Sequence, residues 1–127
     1  MARIVLRHTS CRARRNRRAE KQLVNDCIKL LILHGFIPIR TNSGLIILDS
    51  GGRRRAIRMA SPGVPDIIAC SPDGRFIAIE CKTDNGRLTQ AQKDFLERLK
   101  RTGAVAAVVR CIDELLEIVR NYKLIRR

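Results

Sequence analysis

Asp66, Glu80 and Lys82 are two acids and an amine that can do chemistry if the chain brings them onto one surface. Between the acids lie two short apolar runs, Ile67-Ile68-Ala69-Cys70 and Phe76-Ile77-Ala78-Ile79, joined by Ser71-Pro72-Asp73-Gly74-Arg75. The runs are rich in β-branched residues and bounded by Pro and Gly, so they read as strands. Their connector pairs a Pro that presets φ with a Gly that accepts positive φ, which suits a three-residue hairpin loop. With Pro72-Asp73-Gly74 as the loop, Ser71 faces Arg75 and Asp66 faces Glu80. Opposed residues share a sheet face with Cβ atoms roughly 5 Å apart. Alternation puts Lys82 on that face and turns Ile79 and Cys81 away. A two- or four-residue loop would put the carboxylates on opposite faces.

Two opposed carboxylates repel, and a hard divalent cation relieves that repulsion: Mg²⁺ takes one or two carboxylates plus water and phosphate. Two solvated acids neutralised by a lysine at a strand end are the plainer alternative.

The elements that must position this hairpin are legible on either side. Residues 17–34 carry Leu23, Val24, Cys27, Leu30, Leu31 and Leu33 at helical spacing, with Gly35 as the stop. Glu20 projects from the same stripe, either complementing the helix dipole or standing beside the sheet. Phe36–Arg40 is strand-like and runs into the turn Thr41-Asn42-Ser43-Gly44. Leu45–Asp49 and Arg53–Met59 flank Ser50-Gly51-Gly52 as a second hairpin. Its return strand has arginine on both faces, so it is an edge strand whose charges deter pairing or grip phosphates.

Thr89 and Gln92 form a capping box for a helix with a Phe95, Leu96 and Leu99 stripe and Asp94/Arg98 and Glu97/Arg101 pairs. Gln92 either only caps or also faces the sheet near Lys82. The apolar run Ala104–Arg110 predicts a central strand covered on both sides, and a last helix spans about Ile112 to Tyr122.

One domain is expected at this length, over residues 19–127, behind a basic arm at 1–18. The net charge is +14, with 14 Lys/Arg against Glu20, Asp26 and Asp49 in residues 1–58. That asymmetry points to a polyanion, nucleic acid ahead of membrane. Aromatics are 3%, which disfavours single-strand stacking and favours recognition of a duplex by backbone and shape. A non-catalytic basic protein binding nucleic acid by charge explains +14 equally well, but leaves the aligned acids without a reason. Five scattered cysteines give neither a zinc pattern nor a disulfide framework. Cys27, Cys70, Cys81 and Cys111 are expected as buried thiols of a reducing compartment. The absence of a spanning apolar run or signal-peptide core predicts a cytoplasmic protein.

The ordered set Glu20, Pro65-Asp66 and Glu80-Cys81-Lys82 resembles the PD-(D/E)xK nuclease superfamily. Thr41-Asn42-Ser43-Gly44, Pro62-Gly63-Val64-Pro65-Asp66, Gly86-Arg87-Leu88-Thr89 with Gln92, and Val108-Val109-Arg110 look like its VRR-NUC (virus-type replication-repair nuclease) family. The resemblance implies an α/β, restriction-endonuclease-like core with a central mixed sheet flanked by helices. It further implies Mg²⁺- or Mn²⁺-dependent hydrolysis of DNA, with the metal on Asp66, Glu80 and the Cys81 carbonyl. Lys82 would act on the attacking water, with Glu20 and Gln92 as the remaining catalytic positions. Branched DNA such as a four-way junction would be the substrate, for a homodimer working in a bacterial or phage-infected cell. Arg14, Arg15, Arg17, Arg18, Arg53, Arg54, Arg55, Arg58 and Arg87 are the expected DNA contacts.

Overall fold

Local chemistry builds the sheet first. In a computed structural model the described residues are 17–41, 45–58, 61–83 and 85–125. Strands β4 (Ile67–Cys70) and β5 (Phe76–Cys81) pair antiparallel, with Ile67 opposite Ile79 and Cys70 opposite Phe76. The loop between them has the expected form. Ser71 N–H donates to Arg75 O at 2.9 Å, Gly74 N–H donates to Ser71 O at 2.9 Å, and Gly74 takes φ +83°. The buried Ser71 hydroxyl bonds Asp73 and also accepts the Arg75 N–H at 2.8 Å, which fixes the loop from inside.

Strand β1 (Ile37–Arg40) adds antiparallel to β4, and β6 (Val105–Val109) adds parallel to β5, giving a mixed sheet of order β1-β4-β5-β6. Strand β6 is therefore at the edge of this sheet, not central. Its apolar run reports helices over both faces, and says nothing about whether its hydrogen-bonding edge has a neighbour. Strands β2 (Leu45–Ser50) and β3 (Arg53–Arg58) form a separate two-stranded ribbon, turned by Gly51 and Gly52 with φ +58° and +79°. Two successive positive φ values match the twist of the flanking strands.

Helices α1 (Arg17–Leu33) and α3 (Ile112–Ile125) bury Val24, Cys27, Leu31, Leu115 and Val119 against Ile67, Ile77, Ile79 and Val109 on one face. Helix α2 (Gln90–Arg101) covers the other face, setting Leu96 on Ala78 and Ala106, whose small side chains let it come close. It lies over the β5–β6 half, so Ile37 and Ile39 of β1 and Cys70 of β4 stay exposed, as does Phe76 at the start of β5.

Three further expectations need correction. Leu33 is 81% exposed because the helix stripe has rotated off the sheet by its last residue. Cys70 is exposed because it lies on that uncovered half, while Cys27, Cys81 and Cys111 are buried. On α2 the anticipated i,i+4 pairs are replaced: Asp94 takes Gln90, Glu97 takes Lys100, and Arg98 lies over the Phe95 ring. These are exposed interactions worth a few tenths of a kcal/mol each, so small rotamer preferences decide among them.

Candidate active site

Continuing the β4–β5 register by one residue sets Asp66 opposite Glu80, at a position where opposed side chains lie closest. Asp66 is held mainly through its backbone. Thr41, the residue after β1, donates its N–H to Asp66 O at 3.0 Å and its hydroxyl to Pro65 O at 2.6 Å. With Pro65 O engaged there, the Cys81 N–H turns to the Asp66 carboxylate, Oδ2 at 2.9 Å. Cys81 and Pro65 are opposed in this register, and proline has no N–H to offer the Cys81 carbonyl. That carbonyl leaves β5 on the same side as its own N–H, beside Asp66. The Cys81 side chain points the other way, its Sγ 3.9 Å from Cys27 Sγ inside the core.

Glu80 is 2% exposed. Its Oε1 accepts from Gln92 Nε2 at 3.2 Å and lies 3.9 Å from Lys82 Nζ, whereas its Oε2 is buried with no hydrogen-bond partner among the described residues. Burial raises its pKa to about 8, helped by the Asp66 charge and by the contact with Asp66 that favours the protonated form. Lys82 opposes the rise and Glu20 adds weakly to it. Gln92 serves twice. Its Oε1 accepts the Thr89 N–H at 2.9 Å and its N–H donates to Thr89 Oγ1 at 3.2 Å, closing the capping box, while the amide nitrogen reaches Glu80.

The structure thus brings together Asp66, Glu80, Lys82 and Gln92, with Glu20 close enough to be felt. Arg53, Arg54 and Arg55 are exposed on the ribbon and Arg87 is exposed on the loop before α2. Arg17 and Arg18 begin α1; their side chains and that of Arg58 lie outside the described residues, as do Arg14 and Arg15. Sequence reasoning gave no role to Thr41 or Gly63. Threonine following a strand signals little by itself. Pro62-Gly63 does signal positive φ, observed at +84°, but not that Gly63 packs against Ala91.

No group of three His, Cys, Asp or Glu residues that could hold a metal occurs among the described residues. A hard divalent cation does not need one, since two carboxylates, a carbonyl and water suffice. The unpartnered Glu80 Oε2 beside Asp66 is the kind of vacancy in hydrogen bonding that a cation fills.

The described residues form an α/β domain, a mixed sheet between helices that carries two opposed acids and a lysine at one end of a strand pair. The family model of the VRR-NUC domain matches residues 50–112. A solved structure described as a VRR_NUC domain superposes with a TM-score of 0.60 at 20% identity, covering 82% of this chain and 97% of that one. No curated protein matches. Residues 50–112 thus match a VRR-NUC domain, which implies a function of the nuclease type, and the solved structure shows the same fold.

Proposed function

We propose that this protein is a metal-dependent endonuclease that hydrolyses phosphodiester bonds of branched duplex DNA, four-way junctions among them. The observation carrying the proposal is Glu80: a buried carboxylate with one unpartnered oxygen, opposed to Asp66 and beside Lys82. Left alone, such a pair is costly, and that cost has a purpose if a cation is the missing partner.

Asp66, Glu80 and the Cys81 carbonyl would hold Mg²⁺ or Mn²⁺. Bound there, the ion would polarise the phosphate and lower the pKa of coordinated water. Lys82, a compact point charge, would orient the attacking water and offset the negative charge that builds on the phosphorane. Gln92 would keep Glu80 in its rotamer through Oε1, leaving Oε2 for the ion. Glu20 would add negative potential at the rear of the site.

The ribbon supplies grip. Arg53 and Arg55 lie on one face and Arg54 on the other, all within three residues. A two-stranded ribbon fits a major groove, and arginines on both faces can reach phosphates on both walls. A basic arm at residues 1–18 preceding a single domain, and a homodimer presenting two sites to a symmetric junction, complete the reading. A cytoplasmic location is part of the same proposal. Among the described residues no helix is long and apolar enough to cross a membrane.

Labelled four-way junction, flap and linear duplex incubated with and without Mg²⁺ test the proposal. Cutting of branched substrate only with the metal is expected; no cutting of any substrate would favour a basic nucleic-acid binder instead. Changing Arg53, Arg54 and Arg55 together to Gln should weaken binding across all substrates. The slope of log affinity against log salt should become shallower by about 2–3, read by anisotropy in a salt series. An unchanged slope would remove the ribbon from the interface.

A further inference from the structure

Arg110 is anchored at both ends and takes no part in the chemistry above. Its own N–H donates to Glu114 Oε2 at 3.2 Å, in the first turn of α3. Its Nη1 donates to two carbonyls, Thr83 O at 2.6 Å and Gly86 O at 2.9 Å. Those carbonyls bracket the turn that follows Lys82, which is also closed by the Gly86 N–H to Thr83 O at 2.9 Å. One guanidinium nitrogen therefore holds both ends of the turn.

The turn in its own right packs on Lys82. A Cβ placed on Gly86 would lie 3.2 Å from Lys82 Cδ and 3.3 Å from its Cβ. Gly86 is thus a wall against the lysine stem. On the sheet side, the Lys82 N–H is held by Val109 O at 3.0 Å, from the residue before Arg110. The lysine side chain is 13% exposed, with Nζ directed to Glu80. Four rotatable bonds would otherwise scatter that ammonium over many rotamers.

We propose that Arg110 is a positioning residue for Lys82: it clamps the Thr83–Gly86 turn, and the turn holds the lysine stem so that Nζ stays at Glu80. The catalytic part of this inference rests on the nuclease reading; the clamp itself does not. Arginine suits the task because both Nη1 hydrogens lie in one rigid plane, aimed at two carbonyls at once.

Acylation of lysines by an amine-reactive reagent, followed by mass spectrometry, reads the clamp directly in the free protein. Lys82 should react slowly relative to Lys100, whose side chain is 53% exposed. Arg110→Met should raise the Lys82 rate about tenfold relative to Lys100, Arg110→Lys by less, and Gly86→Ala should raise it by crowding the stem. An unchanged Lys82 rate in both Arg110→Met and Gly86→Ala overturns the clamp, whether or not the wild type cuts DNA. Failure of the wild type to cut would count against the nuclease reading alone.

With cleavage as the readout, Arg110→Met should lower kcat by about 10²-fold with KM within about twofold. In a Lys82→Ala background the same change should cost nothing more, because its route to the chemistry is already gone. A full additive loss there would mean that Arg110 supports the fold and does not act through Lys82.

Discussion

Glu80→Gln will abolish cleavage and at the same time stabilise the metal-free protein at alkaline pH. Cleavage should fall on the order of 10³-fold, because the amide cannot supply the charge that balances a cation at the phosphate. The stability effect follows from the raised carboxyl. Its pKa is about 8 in the folded protein against an ordinary 4.5 when exposed. Below pH 4.5 both states carry the proton, and the group's contribution is fully present. Between 4.5 and 8 the unfolded chain releases its proton first, so stability is lost as pH rises, and the loss is complete above 8. Glutamine has no proton to lose and escapes this slope. Chemical unfolding in EDTA should give equal stabilities at pH 4 and a gap on the order of 5 kcal/mol in favour of the variant at pH 9. A gap that does not change with pH would show that Glu80 ionises in the folded protein as it does in water. Adding Mg²⁺ should raise the wild-type melting temperature more at pH 8 than at pH 6, and should leave the variant where it was.

Gly63→Ala has the next largest expected effect, although Gly63 has no side chain to take part in chemistry. A Cβ there would lie 2.2 Å from Ala91 O, 2.4 Å from Ala91 C and 2.9 Å from Gln92 N. All three are main-chain atoms that cannot rotate away. Either the loop that leads to Asp66 or the helix that carries Gln92 must retreat, so one side of the candidate site shifts against the other. The expected cost is about 3 kcal/mol, with cleavage lost beyond what unfolding explains. Gly74 is the control. It has nearly the same φ, +83° against +84°, but nothing within 4 Å of an added Cβ. Gly74→Ala should cost about 1 kcal/mol, the backbone strain alone. Equal destabilisation of the two variants in urea would mean that the close approach to α2 is absent.

How much of this could be read in the sequence depended on how local the determinant is. The β4–β5 register follows from Pro72-Asp73-Gly74, and with it the opposition of Asp66 and Glu80. The α2 capping box followed from Thr89 and Gln92 alone. What stayed out of reach were contacts between distant segments. Thr41 and Pro65 are 24 residues apart. Arg110 and Thr83 are 27 apart. No periodicity encodes either hydrogen bond. Strand β6 shows the limit clearly: an apolar run tells which faces are covered but not whether a strand lies alongside. Cys70 shows it again, since alternation gives its face while only the placement of α2 over β5 and β6 leaves this half of the face bare.

An exposed surface loop is ordinarily where a chain gains and loses residues during evolution at little cost. The Pro72-Asp73-Gly74 loop differs, although its residues are exposed. It connects the strands that carry both acids, so a single inserted or deleted residue there would propagate through β4 and β5 to their far end. A substitution that keeps the turn leaves Asp66 opposite Glu80, whereas a change of one in its length moves them to opposite faces of the sheet. A bulge elsewhere in the same hairpin could compensate, and the two events would be selected together.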